Sequence, residues 1–435
     1  MHVHASFLRG QCTVPASKSH SMRALLLGSL CEGRSYIQNV LCSPDICCMQ
    51  RACESLGAIF SLSEGENGKN YQIDGVAGQP LPPNKQIDSG NSGQVLRFVT
   101  AIVSLISHNK HTLLSGDLSI QSRRPIKPLL KAICQLGGSA RSQLGNGYAP
   151  IIIQGPIRGG HVSIDGRDSQ LVSALLFAAS FLPDSLYLTV HNPGEIPWIR
   201  LTLYWLNRLG VQWQKREWHY YVIRGKKKYG AQKYSVPGDW SSAAFLIVAA
   251  LITGSELSLN HLRWEDVQGD KKIVLLLRQM GAEITWISSK EQLHIHPLKQ
   301  TLSPFTLNAN EIIDLLPILA VLACFTSGPC LLYGASIARE KESDRIHAIC
   351  KELTKMGGKI EERRDGLTIF PTTLHGARVN SHGDHRIALA LGIAALTAKG
   401  TTLVEDSSCI AKSFPYFVPT MQSLGAQIEE YNDEK

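Results

Sequence analysis

Apolar and polar positions along the chain repeat on a long period. Six times a helix-like run closes with an apolar residue followed by glycine, at Leu56-Gly57, Leu136-Gly137, Leu209-Gly210, Met280-Gly281, Met356-Gly357 and Leu424-Gly425. Successive glycines are 80, 73, 71, 76 and 68 residues apart. Three residues before each closing apolar residue stands Cys53, Ile133, Leu206, Leu277, Leu353 or Met421, and seven before stands Met49, Leu129, Thr202, Ile273, Ile349 or Phe417. Positions 0, −3 and −7 share one face of a helix, so each run predicts an amphipathic helix, with Thr202 the single polar exception. Glycine ends each one because it adopts the left-handed conformation without penalty. Strand-like runs such as 283–287 follow. A second series, apolar nearly all round, is interleaved with the first at 19–30, 91–106, 169–181, 241–252, 311–325 and 385–398. Helices of that composition are buried ones. Six units of about 72 residues result, too long for a typical solenoid. Three units per domain gives two similar domains, with a seam near Val236-Pro237-Gly238.

Composition agrees with a folded globular protein of this size. The 435 residues are 44% hydrophobic and 18% charged, ordinary for a globular chain, and the length suits two or three domains. Lysine and arginine exceed aspartate and glutamate by 44 to 36, a net charge of +8 that favours anionic partners without saying which. No apolar run reaches about 18 residues, so no transmembrane helix is expected, and residues 1–10 lack the layout of a secretion signal. The eleven cysteines are an odd number and scattered, which predicts reduced thiols in a cytoplasmic protein. Cys42, Cys47, Cys48 and Cys53 cluster without zinc-ligand spacing, so no metal is expected there.

Polar residues gather where the buried helices begin: Lys18-Ser19-His20-Ser21-Met22-Arg23, Ser89-Gly90-Asn91-Ser92-Gly93, Asp168-Ser169-Gln170, Asp239-Trp240-Ser241-Ser242, Asn310-Glu311 with Asp314 a turn in, and Gly383-Asp384-His385-Arg386. Each alone reads as an N-cap. Six in register read as more, because helix N-termini present unpaired N–H groups and a positive dipole to anions. Basic residues supplement them: Arg123 and Arg124 before Pro125, Arg339, Lys341 and Arg345 around Glu342 and Asp344, and Lys412 before Ser413-Phe414-Pro415.

These segments, in this order, resemble the bacterial 3-phosphoshikimate 1-carboxyvinyltransferases, or EPSP synthases, over nearly the whole chain. The resemblance is carried by Pro15-Ala16-Ser17-Lys18-Ser19 with Arg23, Gly90-Asn91-Ser92-Gly93 with Arg97, Arg124-Pro125, Ser169-Gln170, Asp239 with Ser241-Ser242, and Asp314. Most specific are the runs from Arg339 to Arg345, from Asp384 to Ala388, and from Cys409 to Pro415. It implies a two-domain inside-out α/β barrel of six βαβαββ units, three per domain. Residues 13–236 would form one domain and 237–435 with 1–12 the other. The chain would cross the hinge near 13–20 and 235–240, with the active site in the cleft.

The implied reaction moves the carboxyvinyl group of phosphoenolpyruvate to the 5-hydroxyl of shikimate 3-phosphate, on the route to chorismate and the aromatic amino acids. No cofactor or metal is implied, and the expected protein is a cytoplasmic monomer without nucleic-acid or membrane partners. Asp314 and Glu342 would be the acid–base carboxylates, with Lys18 at phosphoenolpyruvate. Lys18, Ser19, Arg23, Ser169, Gln170, Asp314 and Lys341 would bind shikimate 3-phosphate. Lys18, Asn91, Gly93, Arg124, Gln170, Arg345, Arg386 and Lys412 would bind phosphoenolpyruvate. Gly93 would also leave room for glyphosate.

The chain departs from the family at Gln94, where threonine is usual, and at Asp168, where serine is common and an acid would repel a phosphate. The stretch 193–198 has no clear counterpart of the family's substrate-binding serine or arginine. Two other readings compete. The related transferase acting on UDP-N-acetylglucosamine carries Lys-Asn near its start and a reactive cysteine in the second unit's loop. Here the pair is Lys18-Ser19, residues 115–125 hold no cysteine, and Cys134 falls on the apolar stripe of a helix. A nucleic-acid binder could use Arg224-Gly225-Lys226-Lys227-Lys228 with Tyr220, Tyr221 and Tyr229, but a solvated hairpin or loop is the better explanation of that run, and nothing else matches a nucleic-acid module.

Overall fold

A computed structural model describes residues 1–107, 111–226 and 228–430. The chain divides into two compact units, one of residues 16–236 and the other of residues 1–15 with 237–435. The described strands form six four-stranded sheets. The third repeat shows the plan. Strand Gly160–Asp165 leads through helix Ser169–Ser180 to the parallel strand Leu186–His191, then through helix Ile196–Leu209 to the hairpin Gln212–Arg216 and Tyr220–Arg224. The second hairpin strand pairs antiparallel with Leu186–His191, giving the sheet its order first-second-fourth-third.

All eighteen stripe positions are buried, Thr202 included. The six closing glycines have φ of 102°, 90°, 78°, 105°, 85° and 98°, the left-handed region in which a Cβ would be strained. The buried series runs Lys18–Leu30, Gly93–Val103, Ser169–Ser180, Trp240–Ile252, Leu316–Ala323 and His385–Ala395. The fifth member departs from expectation. The apolar pattern predicts a helix from 311 to 325, but Ala309–Leu315 is a 3₁₀ turn kinked at Ile312 (φ −137°, ψ 43°). The α-helix starts only at Leu316, where Pro317 fits the first turn because it has no N–H to lose.

The opening strand of two sheets comes from far along the chain. Arg9–Thr13 lies parallel to Glu256–Asn260, and Lys233–Ser235 lies parallel to Arg34–Val40. His2–Val3 sits inside another sheet, between Thr402–Glu405 and Ile428–Glu429. The first residues thus complete two sheets whose other strands come from the second half of the sequence. No described helix is long and apolar enough to cross a membrane.

Candidate active site

In the unit containing residues 237–435, charged side chains meet around Arg345. Asp344 caps the helix Arg345–Lys355 by accepting from the His347 amide at 3.0 Å, and this fixes where Arg345 begins its turn. Each edge of the buried guanidinium meets a carboxylate: Nε to Asp384 Oδ2 at 2.8 Å, Nη1 to Asp314 Oδ1 at 2.8 Å, Nη2 to Glu342 Oε2 at 2.9 Å. Lys412 Nζ holds the other oxygen of Glu342 at 3.0 Å, and Arg386 Nη2 holds the other oxygen of Asp314 at 3.0 Å. Asp384 caps the sixth buried helix through the Arg386 amide at 2.9 Å and accepts from the Ser343 hydroxyl at 3.1 Å. The array Lys412–Glu342–Arg345–Asp314–Arg386 therefore alternates in charge. Burial alone would raise the Asp314 carboxyl, but Arg386, Arg345 and Lys341 outweigh it and hold the group below the usual carboxylate range. Burial would likewise lower Arg345, and Asp384, Glu342 and Asp314 hold it firmly protonated instead.

Asp270, beside this array, is a further functional candidate that the sequence pattern does not mark. It is wholly buried in a 3₁₀ turn, accepts from the Ser241 hydroxyl, and its Oδ1 has no partner among the described residues. Burial first, and then the negative charge of Asp314, push its carboxyl up to about 7 against the pull of Arg386. Nothing in the apolar period marks the position. The only signal is the conjunction of Ser241-Ser242 at one helix start with an acid ahead of the next helix.

The unit of residues 16–236 gathers a second set. Arg23 is buried, donates to Thr202 Oγ1 from Nε at 3.2 Å and from Nη2 at 3.1 Å, and donates to the carbonyl of Ser19 at 3.0 Å. Thr202 in turn donates to Ser173 Oγ at 2.8 Å. The one polar residue in the six stripes is there to hold a buried guanidinium. Its other faces meet Phe98 and Phe177 at 5.2 and 5.9 Å. Desolvation pushes Arg23 down to about 9. Lys18, at the same helix start, lies 3.7 Å from Asp45. Asn91 donates to Asp117 at 2.6 Å. Gly93, Arg124 and Gln170 converge. A methyl built on Gly93 would lie 2.5 Å from Arg97 Nη1 and 3.4 Å from both Arg124 Cζ and Gln170 Oε1. Gly93 is thus the residue that lets these side chains approach the backbone.

The departures from the family have definite surroundings. Asp168 caps the third buried helix at the Gln170 amide, 2.9 Å, and pairs with Arg97 at 2.9 Å. Glu195, in the stretch without a clear counterpart, is buried and accepts at 3.0 Å from both the amide and the hydroxyl of Ser169. Gln94 Oε1 is buried with no partner among the described residues. Cys134 does not lie on the apolar stripe of its helix, contrary to the sequence pattern. It is exposed, because the buried stripe is Leu129, Ile133 and Leu136 and the next residue turns about 100° away. In the basic run, Lys227 lies outside the described residues. Tyr221 is buried and Tyr229 donates to the Ser180 carbonyl at 2.8 Å, so neither offers a face for stacking on bases.

The sequence model of the family EPSP synthase (3-phosphoshikimate 1-carboxyvinyltransferase) matches residues 4–421. The chain belongs to the EPSP synthase family. It is 42% identical over 434 residues to the 3-phosphoshikimate 1-carboxyvinyltransferase of Chlamydia caviae, covering 99% of this chain and 95% of that protein. The Chlamydia trachomatis serovar D protein of the same name is 43% identical over 429 residues, 97% of this chain and 94% of the relative. A solved EPSP synthase from Acinetobacter baumannii superposes with a TM-score of 0.81 at 26% identity, covering 98% of both chains. The six-sheet architecture is therefore that of EPSP synthases. The UDP-N-acetylglucosamine reading gives way to the family match.

Proposed function

We propose that this chain transfers the carboxyvinyl group of phosphoenolpyruvate to the 5-hydroxyl of shikimate 3-phosphate, releasing phosphate. The observation that carries the reading is the alternating array Lys412–Glu342–Arg345–Asp314–Arg386. Addition–elimination needs a base for the hydroxyl proton and an acid for C3 of the donor. The hydroxyl oxygen bonds to C2 as C3 takes a proton. The resulting tetrahedral intermediate then loses a C3 proton as its C2–O bond to phosphate breaks. Two carboxylates held among fixed cations, Glu342 buried and Asp314 half-buried, suit that traffic, because positioned acid–base groups contribute about 10²–10⁴-fold. Asp314, positioned by Arg345 and Arg386, is one of the two acid–base carboxylates. Glu342 and Lys18 complete the acid–base set.

Arg124, Arg345, Arg386 and Lys412 serve the donor's carboxylate and phosphate, with Lys18, Asn91, Gly93 and Gln170. Arginine suits this because its planar fork meets such groups through two hydrogen bonds. Lys18, Ser19, Arg23, Ser169, Gln170, Asp314 and Lys341 serve shikimate 3-phosphate. Eleven cysteines, none of them paired, support a cytoplasmic setting. The test is phosphate release by the purified protein. Release is expected only with phosphoenolpyruvate and shikimate 3-phosphate together. Release with UDP-N-acetylglucosamine in place of shikimate 3-phosphate would overturn the reading.

A further inference from the structure

We propose that Glu256, His294 and His296 form a surface site for one late first-row divalent ion of the zinc type, distinct from the residues assigned to catalysis. The site is built by a β-hairpin and its neighbour. Strand Gln292–Ile295 pairs antiparallel with Glu256–Asn260 on one side and with Ile284–Ile287 on the other, Leu257 opposite Ile295 and Ser258 opposite His294. Leu257, Leu259, Leu293 and Ile295 point into the core and are fully buried. Alternation then sends Glu256, Ser258, His294 and His296 to the outer face.

One nitrogen of each imidazole and one Glu256 oxygen lie within 4.8 Å of one another. Around a tetrahedral ion with bonds of about 2.0–2.1 Å, ligand atoms stand roughly 3.4 Å apart, a distance that small side-chain rotations reach from here. His294 is already oriented. Its Nδ1 is 2.9 Å from Ser258 Oγ and its Nε2 is 3.0 Å from Glu256 Oε1. A proton kept on Nδ1 and given to Ser258 leaves the Nε2 lone pair for an ion, the usual arrangement around a metal-bound histidine. His296 keeps Nε2 toward Thr285 at 3.3 Å, and its Nδ1 has no hydrogen bond among the described residues. Two imidazoles and a carboxylate select zinc-like ions over magnesium or calcium, which take oxygen ligands. Three protein ligands leave a coordination position for water.

Calorimetric titration of the intact protein with zinc chloride tests the site. One ion per chain is expected at micromolar concentration. Binding should weaken at least about tenfold in His294→Ala and in His296→Ala. In Ser258→Ala, which keeps all three ligands, it should weaken about tenfold, as loss of a supporting hydrogen bond does at metal sites. A Cys47→Ser/Cys134→Ser variant should bind as the parent does, since those exposed thiols are the main competing ligands. Circular dichroism shows whether each variant is folded. Equal affinity in the parent and both folded histidine variants would overturn the proposal, as would loss of the ion in the cysteine variant or no binding by the parent.

Discussion

At the start of the third buried helix, Glu195 occupies the donors that an anionic ligand would use. Its Oε2 takes both the amide and the hydroxyl of Ser169, the residue assigned above to shikimate 3-phosphate. A phosphate bound there must share those donors with a carboxylate. Glu195→Gln keeps the size and one acceptor but removes the charge. Hydrogen bonds to charged groups are worth about 1.5–3 kcal/mol, so the KM for shikimate 3-phosphate should fall about tenfold with kcat little changed. Steady-state kinetics at fixed phosphoenolpyruvate measure this. An unchanged KM would remove Ser169 from the binding set. Asp270 bears on pH instead. Its folded carboxyl sits at about 7, above the roughly 3.9 of an unfolded aspartate. The folded state therefore holds a proton that the unfolded state has released. The stability tied to that proton is complete below about pH 4 and is lost as pH rises through about 7. Asp270→Asn cannot ionise and still accepts from Ser241. Its melting temperature relative to the parent should rise by at least about 2 °C between pH 5 and pH 8. A difference that stays flat across that range would show that Asp270 does not titrate there.

At the scale of elements, the amphipathic helices were legible because two independent constraints coincide. An apolar stripe must be buried and a left-handed residue must follow it, and both leave marks in the sequence at fixed spacing. Thr202 shows that an exception to such a pattern carries information. A polar residue on a buried stripe needs a partner, and Arg23 is that partner. The buried helices were less legible at their ends. When every face is apolar, periodicity cannot tell helix from any other buried segment. Ile312, Ile313, Leu315 and Leu316 therefore read as one run although Ile312 breaks the helix. The consequence reaches the site. Asp314 lies on a kinked 3₁₀ turn ahead of the helix rather than one turn into it, and there it meets both Arg345 and Arg386. Asp270 and Glu195 were illegible for another reason. Each acts through a hydrogen bond to a serine 26 or 29 residues away in sequence, and no local pattern records such a pairing.

For the whole molecule, the path of the chain matters most. The unit of residues 237–435 is incomplete without residues 1–15. His2–Val3 is an inner strand of its sheet, so removing it leaves Ile428–Glu429 without a partner and exposes the edge of Thr402–Glu405. Arg9–Thr13 completes a second sheet at its edge. Met1, Val3, Leu8, Cys12 and Val14 are buried in the same core. At about 1.5–3 kcal/mol for burying each larger apolar side chain, their loss is comparable to the roughly 5–15 kcal/mol that stabilises a typical domain. A fragment of residues 237–435 should therefore show no cooperative thermal transition by circular dichroism. The chain end offers a repair, because Ile428–Glu429 pairs antiparallel with His2–Val3, Glu429 opposite His2. A permuted fragment that carries residues 1–15 after residue 435 through a flexible linker supplies both missing strands. It should regain a single cooperative transition. If the fragment of residues 237–435 melts cooperatively at the same temperature as the permuted form, the N-terminal strands do not complete this unit.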